Sequence, residues 1–416
     1  MVPRGTSIYR TSGVRSTHFW QNLEVGGGPA GCRAATTLRG RRHLQIRMHC
    51  PLNPLRKFPL ANVVRPDYIC PSDGNLLYTK SNFPDFRLPG CCHSAPLTGS
   101  FFCEKGYSMD SLFHVVEAQQ FNRELLTEIF AVTKEMEEVV SVYGSSILNR
   151  RIMATLFYEP STRTRLSFES AMIRLGGSVV TTESAREFSS AAKGETLEDT
   201  IRIVEGYADV IVLRHYEGGS AKRAAEVASV PVLNAGDGPG QHPTQALLDV
   251  YTIQKEIGRL DGISVAMVGD LANGRTVRSL AYLLTRYKDV KLYFVAPELV
   301  RMKADIKEYL SRNGVYFEER EDLIEVVREV DVVYQTRIQR ERFGDRTVDY
   351  EAARGRYIID TKVMEALSEN GRVMHPLPRV DEIDPAVDTD PRAAYFRQAH
   401  NGLYIRMALL KMVLAA

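Results

Sequence analysis

The sequence predicts an α/β protein with two doubly wound parallel-sheet domains and a C-terminal helix that packs back across their junction. Three observations support this prediction. Strand and helix patterns alternate from about residue 108, the strand segments are nearly continuous apolar runs, and a second alternating series starts at Ile263. Apolar strands that alternate with helices are typical of parallel sheets covered on both faces. The last segment, 398–416, is apolar on so wide a face that it must be covered.

The composition fits a globular protein of two or three domains, with 44% hydrophobic and 25% charged residues in a chain of 416. No apolar run approaches the length of a membrane span, so we expect no membrane partner. The net charge of +2 is unevenly distributed, because residues 1–103 hold 13 Lys and Arg against 4 Asp and Glu. This basic part and the rest of the chain are therefore different kinds of sequence.

All six cysteines lie in the basic part, so the remainder can form neither a disulfide nor a thiolate metal site. They are Cys32, Cys50, Cys70, Cys91, Cys92 and Cys103. Their restriction to this part favours a reducing compartment for the rest of the chain. Their spacing is irregular and contains no pair separated by two to four residues, so we predict no metal site.

Residues 1–105 are predicted to form a basic extension of low order. They contain ten of the 19 prolines and ten of the 30 glycines, and no helical or strand period persists in them. An Arg-rich, acid-poor leader also suits an organelle-targeting segment. An unstructured extension is the simpler interpretation, so we expect a cytoplasmic protein, with import into an organelle as the alternative.

The first folded domain is predicted at 106–256. Ser108 and Asn122 mark its start, since each precedes apolar residues at helical spacing. The predicted strands are 152–158, 178–181, 209–213 and 231–234, and the predicted helices are 162–175, 196–206, 220–228 and the segment from His242 to Gly258.

The second domain is predicted at 257–397 and repeats the alternation, before the C-terminal helix 398–416. The predicted strands are 263–270, 290–295, a segment near Val315 and 331–335, and the predicted helices are 275–287, 298–312 and 321–328. A further predicted strand, Tyr357–Asp360, fits no simple order.

The stretch Phe157–Arg165 is the strongest local signal, because a β-prone run breaks there into a Pro-containing turn that opens a helix. We expect Ser161 and Thr162 to cap this helix. Two arginines and three hydroxyl groups then surround the positive end of a helix, which describes a binding site for an anion, most naturally phosphate. The alternative is an ordinary capped helix with two solvated arginines.

Further candidates follow other strands, because open parallel sheets bind ligands beyond the carboxyl ends of their strands. In the first domain these positions hold Arg214, His242 and Gln245. In the second domain they hold Arg275 and the segment Arg337-Ile338-Gln339. Each residue alone could equally be a solvated or helix-start side chain.

Together these residues predict a phosphate-directed half-site in the first domain and a carboxylate-directed half-site in the second. Arginine suits bidentate binding of carboxylates better than lysine does. We expect the active site in the cleft between the domains. The turn at Val268-Gly269-Asp270 lacks the Gly-x-Gly-x-x-Gly pattern, so a nicotinamide cofactor is not favoured.

Four motifs resemble those of the aspartate carbamoyltransferase family, in the family's order, over about residues 108–416. They are Phe157–Arg165, Gly236–Asp249, Val268–Val277 and His375–Ile383. The resemblance implies transfer of the carbamoyl group of carbamoyl phosphate to the α-amine of L-aspartate, in pyrimidine biosynthesis. It also implies a homotrimer with a carbamoyltransferase-like fold and shared active sites, and no cofactor or nucleic-acid partner.

The resemblance implies a role for each candidate residue. The residues implied to bind the phosphate of carbamoyl phosphate are Ser161, Thr162, Arg163, which also neutralises the departing phosphate, and Thr164. The residues implied to polarise the carbamoyl carbonyl are Thr164, Arg214 and His242, while Gln245 is implied to bind the amino group. The aspartate carboxylates are implied to be held by Arg275, Arg337 and Gln339, together with the backbone around Leu377 and Pro378. The neighbouring subunit is implied to add Ser189 and Lys193.

Two alternatives remain at this stage. A transcarbamoylase acting on ornithine would share the phosphate half-site, but such enzymes typically have His-Cys-Leu-Pro where this chain has His375-Pro376-Leu377-Pro378. Arg337 would also face a cationic side chain of ornithine in that pocket. A non-catalytic anion-binding homologue is the other alternative. It is disfavoured by four intact residues: Arg163, Arg214, His242 and Lys193.

Overall fold

The computed structural model of the chain describes the backbone of residues 33–37 and 45–49, and residues 112–185, 194–338, 350 and 355–415. The chain divides into two units, Met1–Pro96 and Leu97–Ala416. In the first unit, strand β1 (Arg33–Thr37) pairs antiparallel with strand β2 (Gln45–His49). The sequence predicted no strand there, because no strand period persists in this part of the chain.

The second unit alternates strands and helices as predicted. Its helices are α1 (Arg123–Ser141), α2 (Thr162–Arg174), α3 (Leu197–Val204), α4 (Ser220–Val227), α5 (Pro243–Ile257), α6 (Arg275–Leu284), α7 (Ala304–Arg312), α8 (Leu323–Val327), α9 (Thr361–Ala366) and α10 (Tyr395–Leu414). Its strands are β3 (Ile152–Phe157), β4 (Ser178–Glu183), β5 (Val210–His215), β6 (Val232–Asp237), β7 (Ser264–Val268), β8 (Lys291–Val295), β9 (Tyr316–Arg320), β10 (Val332–Gln335) and β11 (Arg372–Met374).

The first sheet is parallel and has the strand order β4-β3-β5-β6. Strands β5 and β6 are buried along their whole length, whereas the edge strand β4 is largely exposed. The pairing of β5 with β6 changes register between Leu213 and His215. This irregularity lies at the carboxyl end of the sheet, where β5 carries Arg214.

The second sheet is parallel and has the strand order β11-β10-β7-β8-β9. The predicted strand Tyr357–Asp360 is wrong, because only Ile359 forms an isolated bridge, with Ile383. The Asp360 side chain accepts hydrogen bonds from the backbone N–H groups of Lys362 and Val363, both at 3.0 Å, and so caps α9. The chain therefore turns into a helix there, and the strand beside β10 is β11.

The predicted helix 298–312 is interrupted. A short 3-10 helix spans Glu298–Val300, and α7 begins only at Ala304. The carbonyl oxygen of Val300 accepts hydrogen bonds from the N–H groups of Leu271 and Ala272, at 3.0 and 2.9 Å. This carbonyl oxygen therefore accepts hydrogen bonds from the turn after β7 instead of an intrahelical hydrogen bond, and the helix is not continuous.

Helix α10 joins the two domains, as predicted. It packs against α1, α2 and α5 of the first domain and against β11 of the second. One apolar cluster extends from the first sheet through α5, α6 and α10 to the second sheet, and separate clusters cover the other face of each sheet. The predicted fold class is therefore confirmed. Within the described residues, no helix has the length and apolarity needed to cross a membrane.

Candidate active site

Helix α2 presents an uncapped N-terminus at the carboxyl end of the first sheet. Ser161 occupies the N-cap position, but its side chain makes no capping hydrogen bond, and Thr162 is the first helical residue. The predicted side-chain cap is therefore wrong. Because no side chain caps the helix, its first N–H groups and the positive end of its dipole face the site. Thr164, the third residue of the helix, is buried, while Arg163 is exposed.

Two arginines from different domains meet at one carboxylate. Nη2 of Arg214 lies 3.4 Å from Oε2 of Glu159, and Nη1 of Arg275 lies 3.5 Å from the same oxygen. Both arginines are also held by the backbone. Arg214 Nη1 donates a hydrogen bond to the carbonyl oxygen of Ala235 at 3.0 Å, and Arg275 Nη1 donates one to that of Gly238 at 2.7 Å. The guanidinium groups are thus fixed before any ligand binds.

Gly236 allows this close approach. Its φ is +115°, a backbone conformation that favours glycine. A Cβ atom at this position would lie 2.9 Å from Arg214 Nη1 and 3.3 Å from Arg275 Cζ. Any side chain at residue 236 would therefore displace the arginines.

The cluster carries an excess of positive charge. Burial lowers the pKa of Arg214 to about 9, and the charges of Arg275 and Arg163 act in the same direction, while Glu159 opposes them. Arg214 is still protonated at neutral pH, at an electrostatic cost that an anion would relieve. The cluster is therefore complementary to an anionic ligand.

His242 adds a neutral donor beside the cluster. It precedes α5 and is buried, and burial followed by the charges of Arg275 and Arg214 lowers its pKa well below 6.5. Its Nδ1 lies 3.5 Å from the hydroxyl oxygen of Thr244. If that hydroxyl donates to Nδ1, the ring carries its proton on Nε2 and can donate a hydrogen bond without being charged.

Gln245 is the third residue of α5, and its amide group is held by a buried carboxylate. Its Nε2 donates a hydrogen bond to Oδ1 of Asp249 at 2.9 Å. Asp249 is fully buried and also accepts hydrogen bonds from Tyr334 of β10 and Gln398 of α10. This network connects the first half-site to the second domain.

The second half-site uses residues that follow β7 and β10, which are neighbours in the sheet. Arg275 is the first residue of α6 and reaches the first domain, as described above. Arg337 follows β10 by two residues and is half-buried. Thr336 lies between β10 and Arg337 and fixes the backbone there. Its Oγ1 donates a hydrogen bond to the carbonyl oxygen of Val268 at 2.8 Å.

The loop after β11 brings Leu377 and Pro378 to the same end of the sheet. Leu377 has a φ of +54°, unusual for a residue with a side chain. His375 holds it there, since Nδ1 accepts a hydrogen bond from the N–H group of Leu377 at 2.7 Å, and Nε2 therefore donates to Glu382 at 2.8 Å. Burial lowers the pKa of His375, Glu382 opposes this, and the positive charge of Arg163 on helix α2 adds to the lowering.

The described residues thus bring together Arg163, Arg214, His242, Arg275 and the loop at Leu377. Ser189, Lys193 and Gln339 lie outside the described residues. Four further residues near the site were not predicted. Glu159 contacts Arg214, and Asp249 holds the amide of Gln245. Glu382 and Gln398 hold His375, at the start of the loop that carries Leu377. Helical spacing from Gln245 could have indicated Asp249, whereas no local pattern indicates a contact from α10. No group of three or more His, Cys, Asp or Glu side chains in the described part could hold a metal ion.

Both halves of the second unit match family models. Residues 114–255 match the carbamoyl-P binding domain of aspartate/ornithine carbamoyltransferase, and residues 261–413 match the Asp/Orn binding domain of the same family. Among curated proteins, the chain is 69% identical over 304 residues to the chloroplastic aspartate carbamoyltransferase of Arabidopsis thaliana, covering 73% of this chain and 78% of that protein. It is 66% identical to chloroplastic aspartate carbamoyltransferase 1 of Pisum sativum, and this match covers 77% of this chain and 82% of that protein.

Solved structures agree with these matches. The catalytic subunit of M. jannaschii aspartate transcarbamoylase is similar at 49% identity and a TM-score of 0.68, covering 73% of this chain and 98% of that one. Aspartate transcarbamoylase from Trypanosoma cruzi in complex with N-(phosphonacetyl)-L-aspartic acid is similar at 43% identity and a TM-score of 0.70, covering 74% and 97%. The structure of the same enzyme in complex with carbamoyl phosphate and aspartate is similar at 42% identity and a TM-score of 0.70. This match covers 74% of this chain and 98% of that one.

Proposed function

The chain belongs to the aspartate/ornithine carbamoyltransferase family and is an enzyme that carbamoylates aspartate, and we propose how its residues perform the reaction. The products are N-carbamoyl-L-aspartate and phosphate. The observation that carries this proposal is the pair of arginines, buried Arg214 and partly buried Arg275, beside the uncapped N-terminus of α2. Such a group of fixed cations and N–H donors suits a phosphate and a carboxylate bound side by side.

In the proposed complex, the first half-site holds carbamoyl phosphate. The phosphate lies at the N-terminus of α2, where the residues that bind it are Ser161, Thr162, Arg163 and Thr164. The carbamoyl oxygen accepts hydrogen bonds from Thr164, Arg214 and His242. Gln245 accepts a hydrogen bond from the carbamoyl amino group. Arg163 neutralises the charge that develops on the phosphate as it leaves.

Aspartate is bound by the second half-site in this proposal. Its two carboxylates pair with Arg275, Arg337 and Gln339, and the backbone at Leu377 and Pro378 completes the pocket. Two cationic side chains complement a dicarboxylate and oppose the ammonium group of ornithine. The curated relatives at 66–69% identity are likewise named for aspartate.

The reaction begins when the α-amine of aspartate attacks the carbamoyl carbon. A new N–C bond forms, and the resulting oxyanion requires donors that are already in position. Each such donor contributes about 2.7–4 kcal/mol. Because burial holds His242 neutral, it donates a hydrogen bond to the oxyanion without becoming an acid.

The bond to phosphate oxygen then breaks, and phosphate leaves as the amine proton is transferred to it. No side chain acts as an obvious base in this proposal, so the leaving group is the proton acceptor. Most of the rate enhancement comes from holding two anions together in the reacting orientation. Such positioning contributes roughly 7–11 kcal/mol in well-oriented systems.

The test is turnover of the full chain with carbamoyl phosphate and either L-aspartate or L-ornithine. We expect N-carbamoyl-L-aspartate to form and no citrulline. Arg337→Ala should raise the KM for aspartate strongly and change the KM for carbamoyl phosphate little, since it removes only a carboxylate partner. Equal losses for both substrates would contradict the division into half-sites, and ornithine turnover would contradict the substrate assignment.

The proposed active unit is a homotrimer whose subunits share active sites. An apolar surface next to the first half-site supports this, since Leu166 and Ile173 on α2 are 52% and 62% exposed and Val180 on the adjacent edge strand β4 is 48% exposed. Exposed apolar clusters of this kind mark interfaces. Strand β4 leads directly into the segment that contains Ser189 and Lys193, which would then reach the neighbouring subunit's site.

Complementation tests the shared sites. Lys193→Ala and His242→Ala proteins, each inactive, are mixed under conditions that exchange subunits. Hybrid trimers contain some sites with both residues intact and should recover part of the activity. Verified exchange without recovered activity would contradict the shared site, and a monomer in analytical ultracentrifugation would contradict the trimer.

The proposed location is the plastid, where the reaction would serve pyrimidine biosynthesis. The basic, acid-poor character of residues 1–103 and the chloroplastic names of the plant relatives support this location over the cytoplasm. A fusion of residues 1–105 to a fluorescent protein should be imported by isolated chloroplasts. A fusion that stays outside would contradict the proposal.

A further inference from the structure

Asp249 is a buried carboxylate that lies behind the site and touches only hydrogen-bond donors among the partners described. Its Oδ1 accepts from Gln245 Nε2 at 2.9 Å and from Gln398 Nε2 at 2.6 Å, and its Oδ2 accepts from the hydroxyl group of Tyr334 at 2.7 Å. We propose that Asp249 is a positioning residue that fixes the amide of Gln245 with its oxygen toward the carbamoyl amino group, and so selects carbamoyl over other acyl phosphates. This inference rests on the proposed function.

The orientation of Gln245 follows from the chemistry of its partner. An ionised carboxylate can only accept hydrogen bonds, so the side of the amide that faces Asp249 must be the NH2 group. Gln245 and Asp249 are four residues apart on α5, which places them on the same face of the helix. The oxygen of Gln245 is consequently turned away from Asp249, on the side available to a ligand.

The other partners keep Asp249 in its accepting role. The oxygen of Gln398 accepts a hydrogen bond from the backbone N–H group of His375 at 2.8 Å, so its NH2 group must face Asp249. Tyr334 of β10 donates its hydroxyl proton to Oδ2. Donors from three elements therefore surround the carboxylate in its ionised form.

A buried cation on α10 also favours the ionised form. Arg406 is fully buried, and its Nη1 donates a hydrogen bond to Ser167 Oγ at 2.9 Å. Its charge lowers the pKa of Asp249, against the larger effect of burial, which raises that pKa to about 7. A neutral amide at position 249 would avoid this burial cost, so the position of the carboxylate points to a function beyond stability.

The consequence is that hydrogen bonding to Gln245 distinguishes the carbamoyl group from other acyl groups. The carbamoyl group offers two N–H donors, one of which the oxygen of Gln245 accepts. The acetyl group of acetyl phosphate has a methyl group at that position, and would leave a buried oxygen unpaired. Sites that hydrogen-bond a substrate group discriminate strongly against analogues that lack it.

Asp249→Asn tests the proposal, because Asn is nearly isosteric but can present its own NH2 group to Gln245 and reverse that amide. We measure kcat and KM for carbamoyl phosphate and for acetyl phosphate at saturating aspartate. The variant should lower kcat/KM for carbamoyl phosphate by about tenfold or more, mainly through KM, and leave the value for acetyl phosphate nearly unchanged. A loss shared equally by both substrates would overturn the proposal, since a general distortion predicts that result.

A double-mutant cycle with Gln245→Ala separates positioning from structure. If Asp249 acts through Gln245, then Asp249→Asn should have no further effect on the substrate ratio once Gln245 is absent. Additive effects would overturn the proposal. A wild-type protein without carbamoyl transfer to aspartate would instead contradict the proposed function.

The wild-type protein supplies a second readout if the variant does not fold. Protonation of Asp249 would remove the negative charge that holds the NH2 group of Gln245 and would allow the carboxyl group to donate to the Gln245 oxygen. The ratio of kcat/KM for carbamoyl phosphate to that for acetyl phosphate should therefore rise as pH increases through about 7. A ratio that stays constant between pH 6 and 8.5 would overturn the proposal.

Discussion

At the scale of single residues, Gly236 shows how backbone geometry determines the charge arrangement of the site. Its φ of +115° and the absence of a side chain allow Arg214 and Arg275 to lie against the backbone. Gly236→Ala should destabilise the protein by about 1–3 kcal/mol. It should also raise the KM for carbamoyl phosphate by about tenfold or more, because a displaced guanidinium loses a charge-assisted hydrogen bond. Thermal unfolding and steady-state kinetics measure the two effects.

Gly258 provides the matched control. It also has a positive φ, +82°, but a Cβ atom there would have no neighbour within 4 Å. Gly258→Ala should cost about 1–2 kcal/mol of stability and leave the KM for carbamoyl phosphate unchanged. If both variants raise KM equally, backbone strain rather than arginine displacement is responsible.

The buried neutral state of His242 predicts a pH dependence of stability. Its folded-state pKa lies well below 6.5, so below pH 6.5 the unfolded chain binds a proton that the folded chain does not. Stability should therefore fall as pH decreases below 6.5. His242→Asn removes this group, so between pH 6.5 and 5 the wild type should lose about 2 kcal/mol more than the variant. Urea unfolding at both pH values measures the difference, and parallel curves would contradict a neutral His242.

The site residues that the sequence indicated carry groups that can bind a ligand, whereas the residues that it did not indicate bind other side chains. Arg214, His242 and Arg275 follow strands and carry groups that bind anions, so topology and chemistry indicate them together. Asp249 and Gln398 bind other side chains rather than a ligand, and their hydrogen bond joins positions 149 residues apart in the sequence. No local pattern encodes such a contact.

At the scale of elements, the loop from His375 to Glu382 is a small rigid unit. Glu382 accepts hydrogen bonds from the ring of His375 and from the backbone N–H groups of Val380 and Asp381. Glu382→Ala would leave these donors without their acceptor and release the positive φ of Leu377. We expect a loss of about 1–3 kcal/mol of stability.

The same variant should affect the substrates unequally. Because the loop is proposed to complete the aspartate pocket, Glu382→Ala should raise the KM for aspartate well above any change in the KM for carbamoyl phosphate. Kinetics with each substrate varied in turn distinguish the two. A rise confined to carbamoyl phosphate would place the loop in the other half-site.

Strand and helix positions were predicted well where one face or both faces are buried. The errors occur where a side-chain cap or a tertiary hydrogen bond overrides the apolar or helical pattern. Tyr357–Asp360 is apolar enough for a strand, but the Asp360 side chain caps α9 instead. The interruption before α7 depends on contacts of Val300 with Leu271 and Ala272, which are distant in sequence.

At the scale of the whole molecule, catalysis should depend only on the second unit. The strands, helices and site residues described for the reaction all lie after residue 111. Deletion of residues 1–104 should therefore leave kcat, both KM values and the thermal midpoint nearly unchanged. Loss of folded protein or of turnover on deletion would assign the extension a structural role.

The domain architecture was predictable because alternating apolar strands and helices have few ways to pack. The C-terminal helix was predictable for the same reason, since a helix with so wide an apolar face needs partners on several sides. Its hydrogen bonds to the site were not, because Gln398 is an ordinary polar residue until β11, α5 and α10 are assembled around it.

The position of α10 also has a consequence for how the protein is made. Residues 395–414 leave the ribosome after all of their partners, yet they fill the apolar core between α1, α2 and α5 and supply Gln398 to the site. The apolar surface of the first domain that α10 covers therefore stays exposed while the second domain is synthesised. A chain truncated before residue 395 would lack both core and active-site support, so premature termination there should yield protein that the cell degrades.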